Sequence, residues 1–488
     1  MKNLKDLLYR VPLDTVIGST EIQISKVDYN SRSLAQGDLF VALEGTTNDG
    51  HDYIESAITS GAIAVVLEKL PENLKEGVTY IKVDNSHKAL AQIASNFFEE
   101  PSKQLKLVGV TGTNGKTTTT SLLYNLFRDC GFKAGLISTV HILIGDAVIQ
   151  TKHTTPDPIL INKYLSEMVT AGVDFCFMEV SSHGIDQERV SALHFAAGMF
   201  TNLSHDHLDY HNTFAEYRDV KKRFFDELPS SSFALTNVDD KNGAYMLQNT
   251  KARKLGYALK THTDYQAKII ENQFGGLLLK INQQEVWSKM IGQFNAYNLL
   301  AIYGCSIELG LDSTEVLTAI SQLDGVSGRF QYFTTKAEKI TVIVDYAHTP
   351  DALKNVLETV NAIRTKNETL LTVVGCGGDR DRTKRPKMAQ IGAALSDKII
   401  LTSDNPRTEN PQQILDEMEA GVNPVDFKKT LSVLNREQAI KTAAQLAQAH
   451  DIILIAGKGH ETYQEINGVR HDFDDREIAM NILQKLNK

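Results

Sequence analysis

A three-domain α/β protein is the fold this sequence predicts, and three observations point to it. A domain takes about 150 residues, so a chain of 488 should hold more than one compact core. Short β-rich apolar runs alternate with amphipathic helical runs along its whole length. The third observation is that the alternation restarts near position 332, where each strand leads directly into polar residues. The rest of the composition agrees. Hydrophobic residues make up 42% and charged ones 23%, which gives no support to a disordered, collagenous or coiled-coil chain. Lys+Arg 51 against Asp+Glu 60 leaves a net charge of −9, without the basic excess that drives duplex binding, so nucleic acid is not the expected partner. Cys130, Cys176, Cys305 and Cys376 form no CxxC pair and read as buried free thiols. The start lacks an apolar signal region and nowhere do about 18 apolar residues run together, so a cytoplasmic protein without membrane insertion is expected.

Residues 1–102 mix short strands (EIQISKVDYNS, GDLFVALEG, AIAVVLEK, VTYIKV) with a helix near 88–99 and read as a small α/β domain ending at Glu99, Glu100, Pro101 and Ser102. Residues 103–331 open with a strand, LKLVGV, a glycine turn, TGTNGKT, and an apolar-periodic helix to Phe127. Further strands at 174–180, 197–203 and 233–237, with helices at 159–171 and 214–228, predict a central, mainly parallel sheet. Residues 332–488 carry the strands ITVIVDY, LLTVVGC, KIILTSD and DIILIAG between helices near 351–364, 385–396, 411–419 and 436–449, a Rossmann-like alternation. Ligands of such sheets bind beyond the carboxyl ends of the strands, so AHTPD, GGDRDR, NPRTEN and KGHE should line one crevice.

A phosphate-binding loop needs glycines that let backbone N–H groups reach the anion, a lysine for the terminal phosphates and a hydroxyl for magnesium. Gly112, Gly115, Lys116 and Thr117 supply them between strand and helix, although the first Walker glycine is replaced by Val110. Magnesium on a nucleotide wants carboxylates at strand ends, and Glu179 ends the strand DFCFME. The cluster His205, Asp206, His207, Asp209 and His211 would by itself suggest a zinc or di-metal hydrolase; beside a phosphate loop, magnesium is the better reading. Lys221 and Lys222 lie on an amphipathic helix, where a solvated face is the default.

Taken in order, TGTNGKTT, MEVSSHG, NLSHDHLDYH, GQFNAYN, GVSGRF, DYAHTPD and GHE resemble the motifs of the Mur ligases, the ATP-dependent amide-forming enzymes of peptidoglycan precursor synthesis. The resemblance spans the chain and implies a UDP-binding N-terminal domain, a central P-loop ATPase domain and a C-terminal domain for the incoming amino acid. Within the family, NSRSLAQGDLFVALEG, HTTPDP, GCGGDRDRTKRP and SDNPR resemble the ligases that add the third peptide residue to UDP-N-acetylmuramoyl-L-alanyl-D-glutamate.

By the same resemblance the uridine end should meet Ser31, Thr46, Thr47 and Asn48, with Asn30 standing where the family usually has aspartate. The muramoyl dipeptide should lie against Thr154, Thr155, Ser181, Gln187 and Arg189. ATP is expected at Gly112, Thr113, Asn114, Gly115, Lys116, Thr117 and Thr118, with Asn295 and Asn298 near adenine and Arg329 and Asp345 at the phosphates and ribose. Two Mg2+ ions are implied around Thr117, Glu179, His207 and Lys221, the last as a carbamate, since YRDVK matches the helix whose lysine is carbamylated in the family; Lys222 is then an ordinary surface residue. The implied catalytic set is Lys116, Glu179, His207, Lys221 and Arg329, acting through an acyl phosphate in a monomeric enzyme.

The amino-acid pocket implied is Arg380, Asp404, Asn405, Pro406, Arg407, Gly457 and Glu461. Meso-diaminopimelate carries a carboxylate at its far end that L-lysine lacks, and an arginine aimed there favours it by about 1.5–3 kcal/mol. Diaminopimelate is therefore the expected substrate. The alternatives are the same ligase using L-lysine, a folylpolyglutamate-type or cyanophycin-type ligase, a nucleotide-switch or transport ATPase, and a hydrolase built on HDHLDYH.

Overall fold

Each of the three parts carries its own sheet in the computed structural model, which describes every residue except 46, 47, 152, 205–209 and 212. The N-terminal sheet has five strands in the order Thr15–Ile17, Thr79–Lys82, Ala62–Leu67, Asp38–Val41, Val27–Asp28, all parallel but the first pair. Apolar side chains alternate to its two faces and form two clusters, one around Leu39 and Ile81 and one around Phe40 and Tyr80. Helix Ser86–Phe97 starts two residues before its predicted position, because the Asn85 side chain accepts the Lys88 N–H at 2.8 Å and caps it there.

Seven parallel strands form the middle of an eleven-stranded central sheet, in the order Ala134–Ile137, Phe175–Glu179, Lys106–Thr111, Phe195–Phe200, Phe233–Asn237, Arg253–Ala258, Tyr265–Gln273. Leu107 and Val108 point to opposite faces, so the strand is apolar throughout, as a doubly covered parallel strand must be. The sheet is extended by a hairpin, His141–Ile144 with Ala147–Gln150, and by the meander that runs from Tyr265–Gln273 through Gly276–Ile281 to Gln284–Ser288. Helices Gln293–Glu308 and Ser313–Gln322 follow the meander. The sequence reading did not place these last elements. One tight turn of the meander is made by Asn282 and Gln283, both with positive φ, so the Asn-Gly signature of such hairpins is absent.

The third sheet has six strands, and the four predicted ones are neighbours: Thr341–Asp345, Ile452–Ala456, Leu370–Cys376, Lys398–Ser403, all parallel. Their carboxyl ends therefore stand in one row. Edge strands Gln331–Thr334 and Thr430–Ser432 complete it. Among the described residues no helix is long and apolar enough to cross a membrane. Cys176, Cys305 and Cys376 are buried free thiols, while Cys130 is half-buried.

Behind the row of strand ends, Arg436 and Asp475 are both fully buried and joined bidentately, Nε to Oδ1 at 2.8 Å and Nη2 to Oδ2 at 2.7 Å. Arg436 Nη2 also donates to Ala456 O at 3.1 Å, which ties helices Arg436–Leu446 and Asp475–Lys485 to a strand end. Removing one partner strands the other's charge, so Asp475→Ala should destabilise the third domain by about 3–5 kcal/mol. Thermal unfolding should show one transition displaced downward, with a smaller displacement for Asp475→Asn.

Candidate functional site

Strand Lys106–Thr111 ends at the glycine loop, and the loop is shaped by a close approach. Gly112 has φ +150°, and a Cβ there would lie 1.9 Å from Thr201 Oγ1. The Thr201 hydroxyl donates to Asn114 O at 2.7 Å, and Asn202 holds the same residue twice, Nδ2 to Asn114 O at 3.0 Å and Oδ1 from Asn114 N at 3.0 Å. Thr201 and Asn202, which the sequence reading did not single out, are thus the outer wall of the loop. Gly115 at φ 89° precedes helix Lys116–Asp129, whose first amides carry no side-chain cap among the described residues. Uncapped N–H groups and the helix dipole make that end an anion site. Lys116 Nζ donates to Gly112 O and Thr113 O at 3.0 and 2.9 Å, folded over the loop it would share with a phosphate. Val110 is fully buried in the strand, so this loop begins later than the full Walker motif.

A cavity of about 610 Å³ opens from the loop and is lined by Asn114, Gly115, Thr118, Asn298, Arg329 and Asp345 among others. Asn295 is not in its lining. It sits one layer back, donating to Ile291 O at 2.8 Å and accepting from Asn298 Nδ2 at 3.1 Å, so it orients Asn298. Asp345 Oδ2 accepts the Phe330 N–H at 2.6 Å; burial raises its carboxyl to about 6, against the opposing pull of Arg329. Arg329 stacks 4.5 Å over the Tyr346 ring and donates from Nη2 to Thr117 Oγ1 at 3.1 Å, bridging the start of the third sheet to the loop.

A second cavity, about 290 Å³, lies between the central and third sheets. On the central side it meets Thr113, Lys116, Thr117, Thr139, Thr154 and Glu179. Glu179 is buried and oriented by Thr139, whose N–H and hydroxyl donate to its two oxygens at 2.7 and 3.2 Å. Thr139 is another residue that sequence reading missed. Lys221, on helix Phe214–Asp226, is 1% exposed; its Nζ donates to Gly112 O at 3.0 Å and lies 4.8 Å from the Tyr217 ring centre. Lys222 is 6% exposed and paired to Asp226 at 2.7 Å, so the surface position expected for it is corrected: both lysines are buried, Lys222 by its own ion pair. His207, like Thr46 and Thr47, lies outside the described residues. Among the described residues no three acidic, histidine or cysteine side chains gather as a metal cluster. The hard oxygens of Thr117 and Glu179, on one cavity with Lys116, do fit a magnesium ion shared with phosphates.

Across the same cavity stand Arg380, Asp404, Asn405, Arg407, Gly457 and Glu461, from three of the four strand ends; Pro406 lies between two of them in sequence. Arg407 adopts φ 50° and donates Nη1 to Gly378 O at 2.6 Å, with Glu465 at 4.0 Å. Gly457 has φ +119°, and a Cβ there would be 2.5 Å from Asp404 Oδ2. Burial would raise Asp404, yet Lys458, Arg436 and Arg407 outweigh it and hold the carboxyl below its ordinary value. Glu461 is raised, by burial and by Asp404.

Where the N-terminal part meets the central one, Arg189 donates to Thr155 O at 2.6 Å and to Gln187 Oε1 at 3.1 and 2.6 Å. These acceptors are neutral, so its charge stays available to an anionic ligand. Burial lowers Arg189, and Asp157, which accepts Tyr29 Oη at 3.4 Å, opposes that. Thr155 is buried, donating to Glu179 O and accepting Ser181 N, so Thr155 links this crevice to Glu179. Ser31 is buried, and Asn30 Oδ1 caps its turn by accepting Arg32 N at 3.1 Å. Asparagine caps as well as aspartate does, so the departure at position 30 leaves the turn intact. Asn48 is exposed at the edge of this part.

Comparison with known proteins adds a consistent pattern. The profile of the Mur ligase middle domain matches residues 110–306, that of the Mur ligase glutamate ligase domain 328–459, and that of the Mur ligase family catalytic domain 23–98. A protein of Cytophaga hutchinsonii named UDP-N-acetylmuramoyl-L-alanyl-D-glutamate--2,6-diaminopimelate ligase is 54% identical, covering 99% of this chain and 100% of its own. A protein of the same name from Phocaeicola vulgatus is 51% identical over 98% of this chain and 99% of its own. A solved structure of that name superposes with a TM-score of 0.67 at 32% identity, covering 95% of this chain and 96% of the other.

The loop geometry carries its own test. In Gly112→Ala the new methyl must displace Thr201 from Asn114, so the loop opens and its amides lose alignment. Nucleotide affinity, titrated calorimetrically with ADP, should fall at least tenfold while the far-ultraviolet circular dichroism stays unchanged.

Proposed function

The chain belongs to the Mur ligase family, and from that premise we propose that it joins meso-2,6-diaminopimelate to the D-glutamyl carboxyl of UDP-N-acetylmuramoyl-L-alanyl-D-glutamate, consuming ATP. One observation carries the reading: the phosphate loop with Glu179 and the set Arg380, Asp404, Arg407 and Glu461 line opposite walls of one cavity of about 290 Å³. That is the arrangement an acyl-phosphate mechanism needs, with the activated carboxyl and the incoming amine brought together in a space too small for much water. The product is a peptidoglycan precursor, which ties the activity to cell-wall biogenesis in the cytoplasm and through it to cell shape and division.

The residues divide the work as follows. The UDP substrate lies over Ser31 and the stretch 46–48, and its dipeptide passes Arg189, Gln187, Ser181, Thr155 and Thr154 toward Glu179. ATP occupies the larger cavity, with Asn298 toward adenine, Asp345 toward the ribose, and the loop amides and Lys116 around the phosphates. The D-glutamyl carboxylate attacks the γ-phosphorus; the bond to the β-phosphate oxygen breaks and ADP leaves. A neutral amine of diaminopimelate then attacks the acyl carbon, phosphate departs with the former carboxyl oxygen, and the amine proton is lost. Lys116 and Arg329 bear the charge that builds on the transferred phosphoryl group. When bound, magnesium supplies neutralisation of the phosphates; Thr117, Glu179, His207 and a carbamate on Lys221 would hold two ions. Lys221 is 1% exposed with its Nζ 3.0 Å from Gly112 O, so a carbamate formed there would stand beside the phosphate loop.

Arg407 and Arg380 face the distal carboxylate of diaminopimelate and Glu461 an ammonium. L-lysine has no carboxylate at its far end, so the arginines would be left unpaired. Phosphate release should therefore require the UDP dipeptide and diaminopimelate together, with little release in L-lysine or without amino acid. Arg407→Ala should raise the KM for diaminopimelate roughly tenfold to a hundredfold and leave the KM for ATP unchanged. Turnover indifferent to the UDP substrate, or retained preference for diaminopimelate in Arg407→Ala, contradicts the reading.

Asp345 adds a pH dependence. Its raised carboxyl takes up a proton as pH falls through about 6, losing its charge toward Arg329 and its strength as acceptor for Phe330 N. The KM for ATP should rise on that acid limb, and Asp345→Asn should flatten the limb while raising KM at neutral pH.

A further inference from the structure

Of the charged groups near the cavity between the central and third sheets, Lys458 has no part in the chemistry described so far. It is fully buried and does not line the cavity, although Gly457 before it and Glu461 after it do. Its Nζ donates to Asn405 Oδ1 and to Glu461 Oε2, each at 3.0 Å. Asn405 Nδ2 donates to the same Glu461 oxygen at 2.7 Å, and the backbone N–H of Glu465 donates to Asn405 Oδ1 at 3.0 Å. Among the described residues these bonds converge on Oε2, which leaves Oε1 of Glu461 for a ligand. A buried ammonium is costly to desolvate and persists where acceptors converge on it with good geometry.

We propose that Lys458 is the positioning residue of the amino-acid pocket: through Asn405 and Glu461 Oε2 it fixes the Glu461 carboxylate in place to receive an ammonium of the incoming amino acid. The inference rests on the reading of Arg380, Arg407 and Glu461 as that pocket. Electrostatics supports it. Burial and Asp404 both push Glu461 toward its protonated form, and Lys458 and Asn405 oppose them. Among the described residues Arg436, Tyr346 and Tyr463 also act electrostatically with Glu461, and Arg380 and Arg407 share its cavity. Arg436 is engaged bidentately with Asp475, the tyrosines are neutral at working pH, and among the described residues Lys458 is the cation paired directly with Glu461. A protonated Glu461 accepts an ammonium weakly, so removing Lys458 reaches the substrate without touching it.

The test is steady-state kinetics on the full chain with ATP and UDP dipeptide saturating, comparing wild type, Lys458→Met, Glu461→Gln and the double variant. Lys458→Met should raise the KM for diaminopimelate roughly tenfold to a hundredfold, with the KM for ATP and for the UDP dipeptide unchanged. The double variant should lose no more than Glu461→Gln alone, because both changes remove one interaction. The ratio of wild-type to Lys458→Met kcat/KM should be largest below neutrality and shrink as pH rises, as deprotonation of Glu461 is restored. Should methionine at this buried site prevent folding, Lys458→Gln keeps a donor without the charge and should show the same acid-side loss. Losses that multiply in the double variant, equal rises in all three KM values, or a pH-independent ratio overturn the proposal and make Lys458 a packing residue. A Glu461→Gln enzyme with an unchanged KM for diaminopimelate would instead remove the pocket reading itself, an outcome separate from failure at Lys458.

Discussion

The rows of strand ends on the central and third sheets act together only when they face each other across a narrow gap, and one hydrogen bond across that gap organises the site. Arg329 Nη2 reaches Thr117 Oγ1 at 3.1 Å, from a guanidinium already stacked on Tyr346. The segment around it has little freedom. Tyr346 N donates to Gly328 O at 2.9 Å, and Phe330 N is taken by Asp345 at the end of the neighbouring strand. Gly328 packs so closely on Gly459 and His460 that a Cβ would meet His460 N at 2.0 Å. Movement of the third sheet therefore moves Arg329 with it. An acyl phosphate is consumed by water, and Arg329 brings a charge to the phosphate loop from the side of the cavity where solvent must be excluded.

The same crevice explains why the third domain tolerates so many charges inside. Arg436 with Asp475, and Lys458 with Glu461 beside Asp404, alternate in sign from behind the cavity to its wall. His460 shows what happens to a group without that compensation: burial and Arg329 push it down to about 3, so it stays neutral at any working pH. A ligand end that carries both an ammonium and a carboxylate needs an acceptor and a donor held ionised in a low-dielectric pocket. Each first-layer charge therefore needs a counter-charge behind it, and that is the pattern of these pairs.

Much of this was legible from residue order. Glycines with a lysine and threonines between a strand and a helix have few other uses, and a buried strand followed at once by polar residues marks a ligand edge. So the loop, Glu179 and the third-sheet residues line one cavity, as the sequence order places them. What escaped depends on packing between segments distant in sequence. Lys221 and Lys222 are adjacent, and spacing alone cannot tell that one helix face meets Gly112 O while Asp226 covers the other lysine. Asn295 and Asn298 sit on one helix, yet only the second lines the larger cavity. Thr201 and Thr139 are ordinary residues until the chain brings them within bonding distance of Asn114 and Glu179.

Specificity follows from the cost of an unmet group. A pocket that merely fits a longer side chain separates two substrates by about 1–3 kcal/mol, whereas one that leaves a buried charge unpaired with the wrong substrate separates them further. Arg407 is held in a left-handed conformation that a non-glycine residue does not adopt without support. The support is visible: Arg407 N donates to Glu465 O at 3.1 Å, Asn467 N to Arg407 O at 2.7 Å, and Arg385, fully buried, clamps Glu409 of the same loop at 2.8 Å. Glu409 is held down to about 2, chiefly by Arg385, so the clamp stays ionised throughout the working range. The Arg407 guanidinium is thus fixed in advance, so a carboxylate meeting it would spend little binding energy on ordering it.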